Sequence, residues 1–395
     1  MSIRLMMAAF FAVMLATLPA RSQSIINFVT DTPDLTPGQS LALDSINQSK
    51  TTGSVNLVTI DTARIVEGSN VEFDLPEGKF SAMRNFGERS GPRSATWIGE
   101  IEQQLGGTAT FAVDGDAVTA TIETPTDLYR IRPLGGGLHA LIKEDPSGLP
   151  PEHPPELQNL NPGDQPDIPP VDPRDLRDAA DTTIETIDVF VAFTPAARDA
   201  VANIASFAGL AVAESNQSYV NSDIAVRQRL VGTAVLDYQE SGDFQTDLNR
   251  LRSKSDGFMD NIHALRDAAK ADVVVLINDD DQFCGLASVY AGQDRAFAVV
   301  WQNCATGYYS FAHEIGHLFG AVHNPEAGGG GGPFAYGHGW INPAKQVRTI
   351  MAYQCPATSC RRMPQWSRPP EWGDAVKHHD ARVMQEVSRR IAAFR

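Results

Sequence analysis

Three histidines and a glutamate within residues 313–323 are the residues of this chain best suited to chemistry. His313 and His317 lie four residues apart, so on a helix both imidazoles project from one face and can bind one ion. Glu314 comes directly after the first histidine, where its carboxylate can reach a water at the metal without binding the metal. Gly320 can adopt the left-handed conformation that ends a helix, which lets the chain turn back and present His323 as a third ligand. Three neutral histidines leave a fourth position for water, the pattern of a catalytic zinc site.

A site of this kind activates water for hydrolysis. Zinc lowers the pKa of a water ligand and polarises a carbonyl, while a nearby carboxylate accepts the proton of the water and passes it to the leaving amine. Glu314 is the candidate for that general base. We therefore expect peptide-bond hydrolysis without a covalent intermediate, and the chain has no Gly-x-Ser-x-Gly or P-loop motif that would favour another chemistry.

The motif and its surroundings resemble a known family. The HExxHxxGxxH motif is followed, at residues 349–353, by Thr-Ile-Met-Ala-Tyr. Together they resemble the metzincin metallopeptidases, in which Met351 would form the methionine turn beneath the zinc. The stretches 188–198 and 304–310 are similar to bacterial peptidyl-Asp metalloendopeptidases. The resemblance covers most of residues 187–390 and implies an α+β fold, with a mixed twisted sheet, long helices and the zinc on one of the helices.

The resemblance also implies roles for residues near the metal. Tyr353 matches a tyrosine that related enzymes use as an additional zinc ligand or oxyanion donor, and packing beneath the turn explains a tyrosine there equally well. Asn324 stands where reprolysins usually carry aspartate. Cleavage on the N-terminal side of aspartate is implied, and it requires a cationic wall in the pocket after the scissile bond. Arg361 or Arg362 is our candidate for that wall, and a solvated basic pair is the alternative.

The sequence leaves two other functions open. One is a reprolysin-like metallopeptidase that prefers an apolar residue after the scissile bond, and the other is a zinc-stabilised binding protein that has lost catalysis. The intact Glu314 argues against the second. A further cation, calcium, is conceivable at Asp279, Asp280 and Asp281, but EF-hand spacing is absent and a solvated turn is favoured.

Four cysteines, all in the C-terminal half, indicate an oxidising compartment. An even number in an exported chain suggests disulfides, and four cysteines allow three pairings. We favour the local pairs Cys284 with Cys304 and Cys355 with Cys360 over a zinc–cysteine cluster, because CxxC spacing is missing.

The N-terminus has the features of a secretory signal. Residues 1–22 contain Arg4, an apolar run from Leu5 to Leu18 and small residues before the expected cleavage point. No later stretch reaches 18 consecutive apolar residues. We therefore expect a secreted protein, extracellular or periplasmic, without a membrane anchor.

Residues 23–143 are predicted to form a small, mainly β domain. Segments of alternating polar and apolar residues recur between 53 and 143, and an Asp-Gly-Asp turn at 114–116 joins two of them in a hairpin. The stretches 97–100 and 128–131 are similar to the propeptide of reprolysin-like peptidases. The resemblance implies that this domain is a propeptide, an inhibitor within the same chain that makes the protein a zymogen.

Residues 144–180 have the composition of a cleavable linker. The first 35 positions hold ten prolines and nine acidic residues, so we expect an extended, protease-accessible segment. An aspartate-directed enzyme could release itself by cutting before Asp175, Asp178 or Asp181. Because the N-terminal half has no cysteine, latency requires another ligand, such as a carboxylate or His153, or steric cover.

The catalytic domain is expected to span residues 181–395, where strand and helix patterns alternate. Thr194 and Pro195 have the residue types of an N-cap and a first helical position. Predicted strands cover 187–193, 224–235, 272–277 and 296–301, and predicted helices cover 195–219, 244–251 and 258–269.

The charge of the chain is concentrated in the segments expected to be removed. The formal net charge of the 395 residues is −16. Residues 23–180 hold 24 acidic and 11 basic side chains, whereas residues 181–395 hold 24 and 19. This balance repels polyanions, so nucleic acid is excluded as a partner, and a peptide or protein is the expected substrate.

Overall fold

The computed structural model describes residues 23–31, 33–104, 106–150, 153, 171–328 and 332–395. The predicted signal peptide and most of the predicted linker lie outside these residues. Within the described part, no helix is long and apolar enough to cross a membrane.

The N-terminal half forms one antiparallel sheet of ten strands. They are β1 (Ile26–Phe28), β2 (Thr52–Ile60), β3 (Asn70–Leu75), β4 (Gly78–Phe86), β5 (Arg89–Gly91), β6 (Ser94–Ile101), β7 (Thr108–Asp114), β8 (Ala117–Glu123), β9 (Leu128–Gly135) and β10 (Leu138–Glu144). The order is β1-β2-β10-β9-β8-β7-β6-β4-β3, with β5 beside β6. Asp114 pairs with Ala117, which confirms the predicted hairpin, and Gly115 in its turn has a φ of +63°.

Two helices interrupt this mainly β half and were not predicted. They are α1 (Pro37–Gln48) and α2 (Thr62–Glu67). Helix α1 begins with a capping box in which the Thr36 side chain accepts from the Gln39 N–H and the Gln39 side chain accepts from the Thr36 N–H. Its apolar face is weak, which explains why the hydrophobic pattern did not reveal it.

The C-terminal half is built on a mixed sheet of five strands. They are β11 (Glu185–Phe193), β12 (Val226–Val235), β13 (Val273–Asn278), β14 (Gly285–Ala287) and β15 (Phe297–Trp301). The order is β12-β11-β13-β15-β14, in which β14 alone runs antiparallel to its neighbour. The predicted strands are present, and β13 is buried along its whole length, as expected of a central parallel strand. With only three residues, β14 shows no periodicity and was not predicted.

Helices surround this sheet. They are α3 (Pro195–Val201), α4 (Ile204–Asn221), α5 (Phe244–Arg252), α6 (Asn261–Ala269), α7 (Gln302–Ala305), α8 (Ser310–Phe319) and α9 (Asp380–Ile391). Thr194 caps α3, as predicted. The single helix predicted over 195–219 is wrong, because Ala202 has a φ of +61° and Asn203 then caps a new helix by accepting from the Ser206 N–H.

Helix α4 connects the two halves of the molecule. It packs on β12 and, on its other side, on β6, β7 and β8. Polar contacts cross this boundary: Ser206 lies 2.7 Å from Thr119 between hydroxyl oxygens, and Glu214 accepts from the Thr121 hydroxyl at 2.5 Å. Burial raises the pKa of Glu214 to about 7.

A small sheet and two disulfides complete the C-terminal half. The sheet consists of β16 (Ile341–Asn342), β17 (Val347–Arg348) and β18 (Arg361–Arg362). Both predicted pairs are formed: Cys284–Cys304 joins the start of β14 to α7, and Cys355–Cys360 closes the loop that leads into β18. The disulfides indicate an oxidising compartment.

Three side chains of the segment 171–181 pack on the C-terminal half, whereas its residues 173–175 and 178–180 are exposed. Val171 and Leu176 contact its apolar core, and the Arg177 side chain is buried. The Arg177 N–H donates to the carbonyl of Glu386, and its guanidinium donates to the carbonyl of Thr183 at 2.7 Å. The composition of the segment did not predict these contacts.

Candidate active site

Helix α8 carries the two histidines of the motif, and all of its residues are buried. His313 and His317 face His323 in the loop that follows. The Nε2 atoms of the three rings lie 3.1 Å from one another in every pair. The predicted ligands are therefore brought together at one point.

The hydrogen bonds of the His313 and His317 rings leave their Nε2 atoms as acceptors. His313 Nδ1 is 2.8 Å from the carbonyl of Ile350, and His317 Nδ1 is 2.9 Å from that of Ala321. A carbonyl can only accept, so each Nδ1 carries the hydrogen and each Nε2 presents a lone pair. Burial, followed in effect by neighbouring positive charge, holds the pKa of His313 and His323 well below the usual range.

Lone pairs on imidazole nitrogens at this separation repel one another unless a cation lies between them. Nitrogens at this separation could all bind one ion at the zinc–nitrogen distance of about 2.0–2.1 Å. Neutral imidazoles are ligands that zinc prefers. The residues present therefore fit a zinc ion.

The end of α8 brings His323 into position. Gly320 has a φ of +111°, and its N–H donates to the carbonyls of Gly316 and His317. The chain then reverses, and His338 Nδ1 lies 2.9 Å from the carbonyl of His323. This is the geometry expected of Gly320 in the sequence.

Met351 and Trp366 pack against α8 at Gly316. Both side chains are fully buried. A Cβ at residue 316, between the two histidines of the helix, would lie 2.7 Å from Trp366 Cη2 and 2.8 Å from Met351 Sδ. Gly316 thus lets the supporting residues approach the helix axis. This role was not predicted, although a glycine inside a helix is a sequence signal for close packing.

The carboxylate of Glu314 lies against the edge strand β14. Its side chain is buried, and a Cβ at residue 285 would lie 2.4 Å from Glu314 Oε1. Gly285 therefore provides the space in which this carboxylate lies. Its role was not predicted either, since nothing in the sequence links this glycine to the motif.

Tyr353 lies beside the histidines of the motif. Its ring centroid is 3.9 Å from that of His323. Its N–H donates to Asn324 Oδ1 at 2.9 Å, so the amide oxygen at the position where reprolysins usually carry aspartate orients the turn. The Tyr353 hydroxyl donates to the backbone carbonyl of His153.

The two candidate arginines differ in what they bind. Arg361 Nε donates to Glu123 Oε1 at 3.1 Å, and the Tyr309 hydroxyl donates to the other oxygen of that carboxylate at 2.9 Å. Tyr309 is one helical turn before His313. Arg362 is buried, and its guanidinium donates to the carbonyl of Tyr308 at 3.0 Å. The structure thus places a carboxylate on Arg361 and a backbone carbonyl on Arg362.

His153 joins the three histidines. Among the described residues, the only group of three or more side chains close enough to hold a metal ion consists of His153, His313, His317 and His323, whose ligand atoms lie within 4.8 Å of one another. Asp279, Asp280 and Asp281 do not form such a group. In this run, Asp279 accepts from Gln302 at 3.0 Å and Asp281 pairs with Lys50 at 2.7 Å.

Known proteins resemble the chain over most of its length. Residues 183–367 match the metallo-peptidase family M12 (Reprolysin_5). A peptidyl-Asp metalloendopeptidase of Stenotrophomonas maltophilia is 38 % identical over 378 residues, which are 90 % of this chain and 89 % of that protein. One from Xanthomonas campestris is 36 % identical over 402 residues, 96 % and 93 % of the two chains. One from Pseudomonas fragi is 39 % identical over 183 residues, 46 % of this chain and 100 % of that protein.

The identity to the two longer relatives extends over most of both chains, and the histidine motif lies within the matched family region. The family predicted from the motif is confirmed. The chain therefore belongs to the metallopeptidase family M12, with the bacterial peptidyl-Asp metalloendopeptidases, and is a metalloendopeptidase.

Proposed function

We propose that the chain is the precursor of a secreted zinc endopeptidase that cleaves on the N-terminal side of aspartate. The convergence of three histidine Nε2 atoms 3.1 Å apart, with Glu314 on the same helix, carries the proposal. The names of the relatives support the aspartate preference. Membership of an enzyme family and the intact glutamate speak against a catalytically silent binding protein.

His313, His317 and His323 would hold the zinc ion, which supplies a Lewis acid and lowers the pKa of a water ligand toward neutrality. Glu314 accepts the proton of the attacking water and delivers it to the nitrogen of the leaving amine. Tyr353 donates its hydroxyl hydrogen to the carbonyl oxygen as negative charge develops there. The carbon–nitrogen bond breaks, and the products are a new carboxylate and a new amine.

We assign to Arg361 the binding of the aspartate side chain of the substrate. Its guanidinium already binds a carboxylate, that of Glu123, and Tyr309 binds the same carboxylate one turn before the first metal-binding histidine. A bidentate guanidinium suits an acidic side chain. Arg362 is less suited because it is buried against Tyr308, with its guanidinium carbon 4.5 Å from the centre of that ring. The preference for an apolar residue has no comparable support.

The precursor is proposed to have the organisation expected from its sequence: a signal peptide at 1–22, a propeptide at 23–143, a cleavable linker at 144–180 and a catalytic domain at 181–395. The contacts of Glu123 support the role of residues 23–143 as a propeptide. This residue of β8 binds Arg361, the arginine that we assign to the substrate side chain. The disulfides support export.

A cleavage-site profile of the processed enzyme tests the function. We expect peptide libraries to be cut before aspartate, chelation to abolish cutting and zinc to restore it. Arg361→Ala should lower kcat/KM for aspartate peptides about 10- to 100-fold, the value of hydrogen bonds to a charged group, and Arg361→Lys should lose less. Arg368→Ala, which removes an exposed arginine paired with Asp223, is the matched control. An unchanged aspartate preference in Arg361→Ala would show that Arg361 does not bind the aspartate side chain of the substrate.

A further inference from the structure

We propose that His153 is a fourth ligand of the metal in the uncut precursor and thereby holds the peptidase latent. The inference rests on the proposed function, since it concerns regulation of the same site. The family's catalytic ligands are the three histidines of the motif. His153 lies 160 residues before the first of them, in the segment that joins the two halves of the molecule.

The position of the His153 ring matches that of a ligand. Its centroid is 4.9 Å from that of His323 and 5.7 Å from that of His317. The three motif histidines have centroids 4.7 to 5.1 Å from one another, so the fourth ring is as close to His323 as they are and lies farther, at 6.5 Å, from His313. The residue is 1 % exposed, although its neighbours in sequence are mostly proline and acidic residues.

The backbone of His153 is held at the same place by a second contact. The Tyr353 hydroxyl donates to its carbonyl, and the two ring centroids are 6.4 Å apart. Tyr353 is the residue that we assign to the developing oxyanion. His153 thus contacts two parts of the proposed active site. Its side chain lies at the proposed metal position, and its carbonyl accepts from Tyr353, the proposed oxyanion donor.

The segment is anchored close to this point. Leu149, four residues earlier, packs on the apolar cluster of the C-terminal half that includes Trp301 and Cys304. Short tethering makes the binding of His153 intramolecular, which raises its effective concentration at the metal. A fourth imidazole also converts an open three-histidine site into a closed four-ligand site, in which no position is left for water.

Of the latency mechanisms that the sequence left open, ligation by His153 agrees best with the residues at the site. The N-terminal half has no cysteine, and among the described residues no carboxylate belongs to the metal-binding group. When the segment leaves, a water molecule replaces the imidazole. This exchange needs no redox partner and breaks no covalent bond of the chain at the metal.

The test uses the full-length chain with Glu314→Ala, so that the precursor cannot cut itself, and with cobalt(II) in place of zinc. Azide binds cobalt only where it can displace water, and it then changes the visible spectrum. We expect no azide-induced change in this precursor. His153→Phe keeps a ring of similar size without a ligand atom, and with it we expect the spectrum to respond to azide and a chelator to remove zinc about tenfold faster or more. His263→Ala, which removes a histidine on α6, should behave as the parent.

The same variant separates ligation from steric cover. If cover alone causes latency, His153→Phe will exclude azide like the parent, and the proposal is then overturned. His153→Ala gives the same readout if the phenylalanine variant does not fold. Hydrolysis by the wild-type enzyme after removal of its N-terminal part tests the proposed function separately. Absence of hydrolysis with zinc bound would refute that function and leave the azide result valid for His153.

Discussion

Glu314 has room beside the histidines of the motif because residue 285 carries no side chain. In Gly285→Ala, the new Cβ would lie 2.4 Å from Glu314 Oε1 and 2.6 Å from its Cγ. The end of a glutamate side chain can move away, so the fold should tolerate the change while the general base is displaced. We expect kcat for peptide hydrolysis by the processed enzyme to fall about 100-fold, as for a misplacement near 1 Å, with zinc content and thermal midpoint nearly unchanged.

Gly292→Ala is the matched control for this experiment. Residue 292 follows the same strand closely in sequence, and no atom lies within 4 Å of a Cβ placed there. Its kcat should equal that of the wild type. If Gly285→Ala also retains full kcat, the position of Glu314 against β14 is not important for catalysis.

The residues of the site differ in how much the sequence reveals about them. His313, His317 and Glu314 could be identified because one helix dictates their spacing, and Gly320 and His323 because a helix end has its own signature. Arg361 and Arg362 could not be separated, since only the fold shows which of them meets Glu123. The position of His153 beside the motif histidines depends on packing between residues 160 positions apart, which no local sequence pattern predicts.

Two glycines inside helices should respond in opposite ways to the same substitution. Alanine is favoured over glycine in a helix by about 0.5–1 kcal/mol. At Gly316 on α8, this gain is outweighed because the Cβ would meet Trp366 at 2.7 Å and Met351 at 2.8 Å. We expect Gly316→Ala to lower the free energy of unfolding by about 1–3 kcal/mol, the range for overpacked cores, and to weaken zinc binding.

Gly209 on α4 provides the comparison. A Cβ there would lie 3.7 Å from Ala112 and 3.8 Å from Thr96, which is ordinary contact. Gly209→Ala should therefore raise the free energy of unfolding by about 0.5–1 kcal/mol. Urea denaturation of both variants in the Glu314→Ala precursor measures the difference. Equal effects of the same sign would contradict the supporting role of Met351 and Trp366.

The elements were predictable where a local signal is strong. The turn at 114–116 and the buried strand β13 followed from residue type and pattern. The break between α3 and α4 escaped, because small apolar residues continue a helical pattern through Ala202 while the Asn203 cap acts locally. Strand β14 was not predicted because three residues are too few to show a periodic hydrophobic pattern. It is nevertheless the strand that faces Glu314.

The two halves of the molecule meet at Arg361 and at the three histidines of the motif. Glu123 of the N-terminal sheet binds Arg361, which we propose to bind the substrate side chain, and His153 lies beside the histidines that we propose to bind the metal. Helix α4 packs against the N-terminal sheet and so joins the halves. If these assignments hold, substrate access to both places requires departure of the N-terminal half. In the proposed precursor, the acidity of residues 23–180 then belongs to the part that is removed, and residues 181–395 are only mildly acidic.

The packing of residues 171–181 predicts where the mature enzyme begins. Arg177 is buried and binds the carbonyls of Asp181 and Thr183, and Val171 contacts the core of the C-terminal half. A cut before Asp175 would remove Val171, and a cut before Asp178 or Asp181 would also remove Arg177, so we expect cleavage earlier in the linker and a mature N-terminus at or before residue 171. N-terminal sequencing of the secreted form measures it, and Glu314→Ala shows whether the chain cuts itself. A mature chain that starts at one of those three aspartates would mean that the packed segment is dispensable to the folded enzyme.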